Sequence, residues 1–190
     1  NVSIIATDLD GTIFKGQTLI DGVKEGLLKI INEGIEIYYT TNNSSQTPSE
    51  IKDKLENLLQ LDIDISKIIT PLVIFQNLYS DDKLNIFIYG SENLKKYIKN
   101  LNMNVTSLEN AELVLIGRKE ENNFSEINEI IKSVSIGKNI LSLNKDLTFP
   151  TEFGEKAGNG AVVKIIEDEL SISIPTLGKS GNHYSSYFIQ

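Results

Sequence analysis

Asp8 and Asp10 stand two residues apart, where the apolar run Val2 to Thr7 ends and Gly11-Thr12 begins. Residues two apart in extended backbone project to one side, so the spacing predicts two carboxylates that face the same way. A pair this close repels itself unless a cation or a shared proton compensates. Gly11 permits a sharp turn after them, and Thr12 offers a hydroxyl to the loop. A solvated turn is the plain alternative, since Asp and Gly are common in turns. An EF-hand calcium loop is excluded, because Leu19 falls where the bidentate Glu would have to stand.

Two further clusters offer phosphate chemistry. Thr41-Asn42-Asn43-Ser44-Ser45 follows a second apolar run. Its hydroxyl and amide side chains, and the backbone N–H groups of the turn, can donate to phosphate oxygens. An ordinary loop before a helix cap would look similar. Gly178-Lys179 ends a third apolar run. A lysine there can neutralise an anion, although a surface charge is the ordinary role of a lysine.

The elements that must position these residues follow from periodicity. Val2 to Thr7 predicts a buried strand. Val23, Leu27, Leu28, Ile30 and Ile31 give Asp21 to Asn32 one apolar helical face, with Gly34 as a C-cap. Ile35 to Thr40 predicts a second strand. Thr47-Pro48-Ser49-Glu50 opens a helix with a capping box and an early Pro, and Ile51, Leu55, Leu58 and Leu59 form its inner face. Strand, helix, strand, helix implies parallel strands with right-handed crossovers. Both polar clusters then sit past the C-terminal ends of strands, where open α/β sheets place their sites.

From about Pro71 to Asn159 the alternation repeats. Strands are expected at Leu84 to Tyr89, Leu113 to Gly117 and Ile140 to Leu143, and helices at Glu92 to Asn100 and Glu126 to Lys132. A helix from Gly160 to Leu170 and a strand from Pro175 to Lys179 follow, and Ser180 to Gln190 starts another helix. The expected organisation is a first core segment at residues 1–70, an inserted smaller α/β domain at 71–159, and a return segment at 160–190.

Composition narrows the function classes. The 190 residues, 40% hydrophobic and 23% charged, suit one large globular domain or one domain with a sizeable insertion. There is no cysteine, which excludes disulfides, cysteine-ligated zinc and iron–sulfur clusters. His183 is the only histidine, so a His-rich metal site or a Ser/His/Asp triad far from it is disfavoured. A net charge of -8 makes the chain a poor general binder of nucleic acid or anionic membranes. No apolar run approaches the ~20 residues that span a bilayer. The first residues are too short and uncharged for a signal peptide, so a cytoplasmic location is expected. The chain does not begin with Met, which implies a processed or trimmed N-terminus.

Asp8-Leu9-Asp10-Gly11-Thr12 after an N-terminal strand resembles the leading signature of the haloacid dehalogenase superfamily. Thr41 resembles the Ser or Thr of its second motif, and the following Asn42-Asn43 points to the p-nitrophenyl-phosphatase and NagD-like branch. Gly178-Lys179 resembles the third motif, with Ser180 in place of the usual Pro. Asn144-Lys145-Asp146 resembles the branch's Asn-x-Asp element, and Gly158-Asn159-Gly160 its Gly-rich return from cap to core. The resemblance spans essentially the whole chain. It implies a Rossmann-like parallel-sheet core with an inserted α/β cap.

The resemblance also implies a magnesium-dependent phosphatase acting on a small phosphorylated metabolite. Asp8 would be the nucleophile and Asp10 the acid–base. Both would be metal ligands for Mg²⁺. Gly11, Thr12, Thr41, Asn42 and Lys179 would bind the phosphoryl group, and the Asn144 to Asp146 loop would meet the rest of the substrate. Caps of this type often support dimers in related proteins, which keeps a homodimer open. The fourth motif, an acidic pair on a later strand, has no counterpart after Lys179, since Ser180 to Gln190 contains no Asp or Glu. An incomplete copy of a longer protein is therefore expected, because Val2 to Ala6 would otherwise be a bare apolar sheet edge. Two alternatives stay open: an impaired relative that binds a phosphometabolite or a protein partner, and a phosphotransferase.

Overall fold

The structure, a computed structural model, describes residues 2–80, 83–151 and 154–187. The chain is α/β, as its alternation predicts, and divides into two compact units. One holds the chain up to Thr41 together with Gln46–Thr70. The other holds Asn42–Ser45 and the residues from Pro71 onward.

In the first unit, β1 (Ile4–Asp8) runs into a small hairpin of β2 (Phe14–Lys15) and β3 (Thr18–Leu19). Helix α1 (Val23–Asn32) leads to β4 (Glu36–Thr40), and α2 (Pro48–Leu59) leads to β5 (Ile68–Ile69). The strands are parallel in the order β1-β4-β5. Helix α2 starts as its sequence dictates, with Thr47 and Glu50 in a reciprocal capping box and Pro48 at the first turn. Ile51, Leu55 and Leu59, spaced four apart, are buried against Leu9, Phe14, Ile37 and Tyr39. Each such side chain contributes roughly 2 kcal/mol by leaving water. β1 is an outer strand and not the buried one that its apolar run predicts: none of its residues is buried, and Ile4 remains 54% exposed, because the sheet covers it on one edge only.

The second unit opens with α3 (Pro71–Tyr79), to which periodicity assigns no element although Pro71 is a helix-start signal. There follow β6 (Asn85–Tyr89), α4 (Glu92–Asn100), β7 (Asn104–Val105), β8 (Leu113–Ile116), α5 (Phe124–Ser135) and β9 (Asn139–Ser142). These four strands are parallel in the order β7-β6-β8-β9. An antiparallel pair, β10 (Thr148–Thr151) and β11 (Gly154–Ala157), precedes α6 (Asn159–Leu170), and α7 (Asn182–Tyr187) ends the described chain. The last three residues of the expected C-terminal helix, 188–190, lie outside the described residues.

Residues 160–187 pack within this second unit. Val162, Val163 and Ile166 of α6 share a core with Val114 and Ile116 of β8 and with Ile127 and Ile130 of α5. The strand expected at Pro175 to Lys179 shrinks to one parallel bridge, Thr176 to Ser142. Pro175 has no N–H to extend it, and the Thr176 hydroxyl accepts the Gly178 N–H at 3.2 Å, which turns the chain away.

Candidate active site

In the first unit the polar residues gather past the C-terminal end of β1. Leu9 is 1% exposed and anchors the loop, while Asp8 and Asp10 on either side of it are exposed. The alternation therefore sets both carboxylates on the solvent side of a buried leucine, as the spacing of two requires. The Leu9 carbonyl accepts from the N–H groups of Thr12, Ile13 and Phe14 at 3.2, 2.9 and 3.2 Å. Gly11 closes the turn at φ +79°, a conformation that disfavours side chains, and its N–H donates to the Phe14 carbonyl at 2.8 Å.

The neighbouring strand delivers Thr41 to the same end of this sheet. Parallel register sets Asp8 opposite Thr40, and the Thr40 hydroxyl donates to the Thr7 carbonyl at 3.0 Å. Thr41, the next residue, is 3% exposed, and its N–H continues the pairing to the Ile69 carbonyl at 3.1 Å. Asp8, Asp10, Gly11, Thr12 and Thr41 are thus positioned by two adjacent strands about 4.8 Å apart.

Lys54 of α2 joins this group, and no sequence motif marks it. Its Nζ lies 3.7 Å from the centroid of the Phe14 ring. Burial lowers its pKa, and the charge of Asp10 opposes that shift. A position beside Leu55 on the inner face of α2 is a signal of partial burial. Its relation to Asp10 depends on how the Leu9 loop is wound.

In the second unit Asn42 is the centre of a hydrogen-bonded cluster. Its Oδ1 accepts the Lys179 backbone N–H at 2.7 Å, and its Nδ2 donates to Asp146 Oδ1 at 3.0 Å. Its backbone carbonyl accepts Asn144 Nδ2 at 2.8 Å. Asn144 is 5% exposed, and its Oδ1 accepts the Asp146 N–H at 3.1 Å. Asn159, at the start of α6, donates from Nδ2 to the Asn144 carbonyl at 2.6 Å, and the Gly160 N–H donates to the Asp146 carbonyl at 3.0 Å. Buried Asn159 is a further member of this cluster whose contacts no local sequence rule foretells. An Asn between two glycines is its only mark.

Ser44, in the same loop as Asn42, is 5% exposed, and its hydroxyl is buried without a hydrogen-bond partner among the described residues. An unsatisfied buried hydroxyl costs roughly 1–3 kcal/mol. Ser44→Ala is expected to raise the thermal midpoint by about 2–4 °C per kcal/mol recovered, read by calorimetry. A lower midpoint would show that the hydroxyl is satisfied in solution.

The donor chemistry at Asp8 and Asp10 is that of a hard cation. Mg²⁺ takes one or two carboxylates and completes its shell with water and substrate phosphate, so this oxygen set fits it. Among the described residues no group of three or more His, Asp or Glu side chains is placed to hold a metal by protein ligands alone. No described helix is long and apolar enough to cross a membrane.

Comparison with known proteins bears on this arrangement. A family model described as haloacid dehalogenase-like hydrolase matches residues 5–104. An acid sugar phosphatase of Staphylococcus epidermidis is 28% identical over 174 residues, covering 90% of this chain and 67% of the relative. Among solved structures, a hypothetical protein from Pyrococcus horikoshii superposes with a TM-score of 0.85 at 25% identity, covering 99% of this chain and 75% of that one. A mutant of a thermostable p-nitrophenylphosphatase from Bacillus stearothermophilus gives a TM-score of 0.80 at 27% identity, covering 99% and 74%. This chain therefore spans about two thirds of the curated relative's length and three quarters of each solved one.

Proposed function

This chain belongs to the haloacid dehalogenase-like hydrolases, and from that premise we propose that it is a magnesium-dependent phosphatase of small phosphorylated metabolites. The observation that carries the reading is the Asp8–Asp10 pair at the end of β1, with Thr41 leaving the adjacent parallel strand. The acid sugar phosphatase and p-nitrophenylphosphatase relatives support phosphate esters as the substrate class. Residues 1–70 and 160–190 would serve as core and 71–159 as cap.

In this reading the Asp8 carboxylate attacks phosphorus in line. A P–O bond to Asp8 forms as the P–O bond to the leaving group breaks. Asp10 gives its proton to the leaving oxygen, then takes a proton from the water that attacks the aspartyl-phosphate. The second attack breaks the bond to Asp8 and releases inorganic phosphate. Gly11 and Thr12 present loop donors to the phosphoryl oxygens. Thr41 and Lys179 hold those oxygens by their own side chains, and Asn42 holds them through the loop it fixes. The Asn144 to Asp146 loop faces the leaving group. Asp8, by its carboxylate, and Asp10, by its backbone carbonyl, would hold Mg²⁺, which when bound offsets charge on the phosphoryl oxygens.

The test is phosphate release from p-nitrophenyl phosphate, with Mg²⁺ and with EDTA. Release that requires Mg²⁺ is the expected result. A folded chain that binds inorganic phosphate and releases none from the ester would instead mark a binding-only relative. Transfer to a sugar hydroxyl in preference to water would mark a phosphotransferase.

A further inference from the structure

We propose that Asn42 is a positioning residue: its side-chain amide latches the backbone of Lys179 to the Asn144–Asp146 loop. Through that latch it sets where the Lys179 ammonium stands. This deepens the phosphatase reading and rests on it.

The orientation of the amide is dictated by chemistry. A backbone N–H can only donate, so the atom 2.7 Å from the Lys179 N–H must be the amide oxygen. The nitrogen is then left for the Asp146 carboxylate, which can accept it, at 3.0 Å. One planar group thereby spans two segments that lie 137 and 104 residues away in the chain. The backbone carbonyl of Asn42, receiving Asn144 Nδ2, adds a third tie that does not depend on the Asn42 side chain.

The packing leaves this latch little freedom. A Cβ added at Gly178 would lie 2.9 Å from Asn42 Oδ1 and 3.0 Å from the Cβ of Asn144. The turn carrying Lys179 is closed behind it by the Gly181 N–H donating to the Gly178 carbonyl at 2.8 Å. Asn144 is itself immobilised by Asn159. A cationic side chain acts on a developing charge only if its backbone is held, because misplacement by about 1 Å can cost a hundredfold in rate. Asn42 Oδ1 and one N–H are engaged with protein partners, so the amide acts on the loops.

The experiment is a polarity swap. Asn42→Asp keeps the acceptor for Lys179 but turns the Nδ2 position into an oxygen facing the Asp146 carboxylate. Two like charges then replace a hydrogen bond. Asp146→Asn in the same chain restores a donor–acceptor pair with its direction reversed. For p-nitrophenyl phosphate, N42D is expected to lose about 10- to 100-fold in kcat. The double variant N42D/D146N is expected to return to within about threefold of D146N alone. The thermal midpoint should fall and recover in parallel. Should N42D not fold, recovery of a folded, active double variant supports the latch equally.

A double variant no better than N42D would overturn the proposal. It would indicate that the Asn42 amide touches the phosphoryl group directly, where a carboxylate repels it whatever stands at position 146. Wild-type protein without turnover would defeat the phosphatase reading instead. The cycle in thermal midpoint would still decide whether the latch exists.

Discussion

Asp8→Asn is expected to abolish phosphate release, by on the order of 10⁴-fold or more, while the thermal unfolding transition stays within a few degrees of wild type. The two side chains are nearly isosteric, and position 8 is exposed, so little packing is lost. The strand itself is held by backbone pairing to β4 and by Leu9 in the core. The chemistry, by contrast, is removed at its source. A neutral amide is a poor nucleophile toward phosphorus and cannot form the aspartyl-phosphate. It also removes the one carboxylate that would hold Mg²⁺, since Asp10 would meet the ion by its backbone carbonyl. Turnover by p-nitrophenyl phosphate assay and unfolding by calorimetry read the two halves separately. Retained turnover would take Asp8 out of the nucleophile's role, and joint loss of turnover and fold would leave a structural role in its place.

Lys179→Ala carries the second largest effect. Loss of a preorganised charge that stabilises a transferring phosphoryl group costs about 10²–10³ in kcat/KM. The anchoring of the segment does not depend on the ammonium, because Asn42 holds the backbone N–H of residue 179 and alanine keeps that N–H. The cost should therefore appear in kcat and in the affinity for inorganic phosphate as a competitive inhibitor, with the thermal midpoint little changed. Lys179→Arg should recover part of the loss, because the charge is kept while the guanidinium fork presents it differently. Unchanged kcat/KM in the alanine variant would return Lys179 to the class of ordinary surface lysines. A comparison with N42D is informative as well. If Asn42 acts by placing Lys179, the two losses should not add in the double variant N42D/K179A.

These two predictions rest on parts of the chain that are readable to different degrees. β1, α1, β4 and α2 appear within two residues of where period and capping signals place them. The capping box at Thr47 forms as its residue types require. Such signals are local: a helix start needs an acceptor three residues before its N–H, and a strand needs a short apolar, β-branched run bounded by turn residues. The α/β class and the family follow from the same local record, since Asp8-Leu9-Asp10-Gly11-Thr12 is a contiguous motif at a strand end.

Other features are invisible in sequence because they depend on partners far away in the chain. Helix α3 escapes assignment because Leu72 to Phe75 is apolar enough for either state, and burial in the second unit decides it. Pro175 to Lys179 has the composition of a strand and forms one bridge, because the partner carbonyls and the missing proline N–H determine pairing. The relation of Lys54 to Asp10 comes from the winding of the loop around Leu9.

The sequence by itself determined the class of chemistry here: two carboxylates after a strand, hydroxyl and amide donors after the next, and a lysine near the end. It did so because reactive groups are carried by residue type and short spacing. Tertiary structure alone decided what Asn42 does. An amide has both a donor and an acceptor, and whether they face a ligand or a carboxylate and a backbone N–H more than a hundred residues away depends on which groups the fold brings within about 3 Å. No local rule contains that distance.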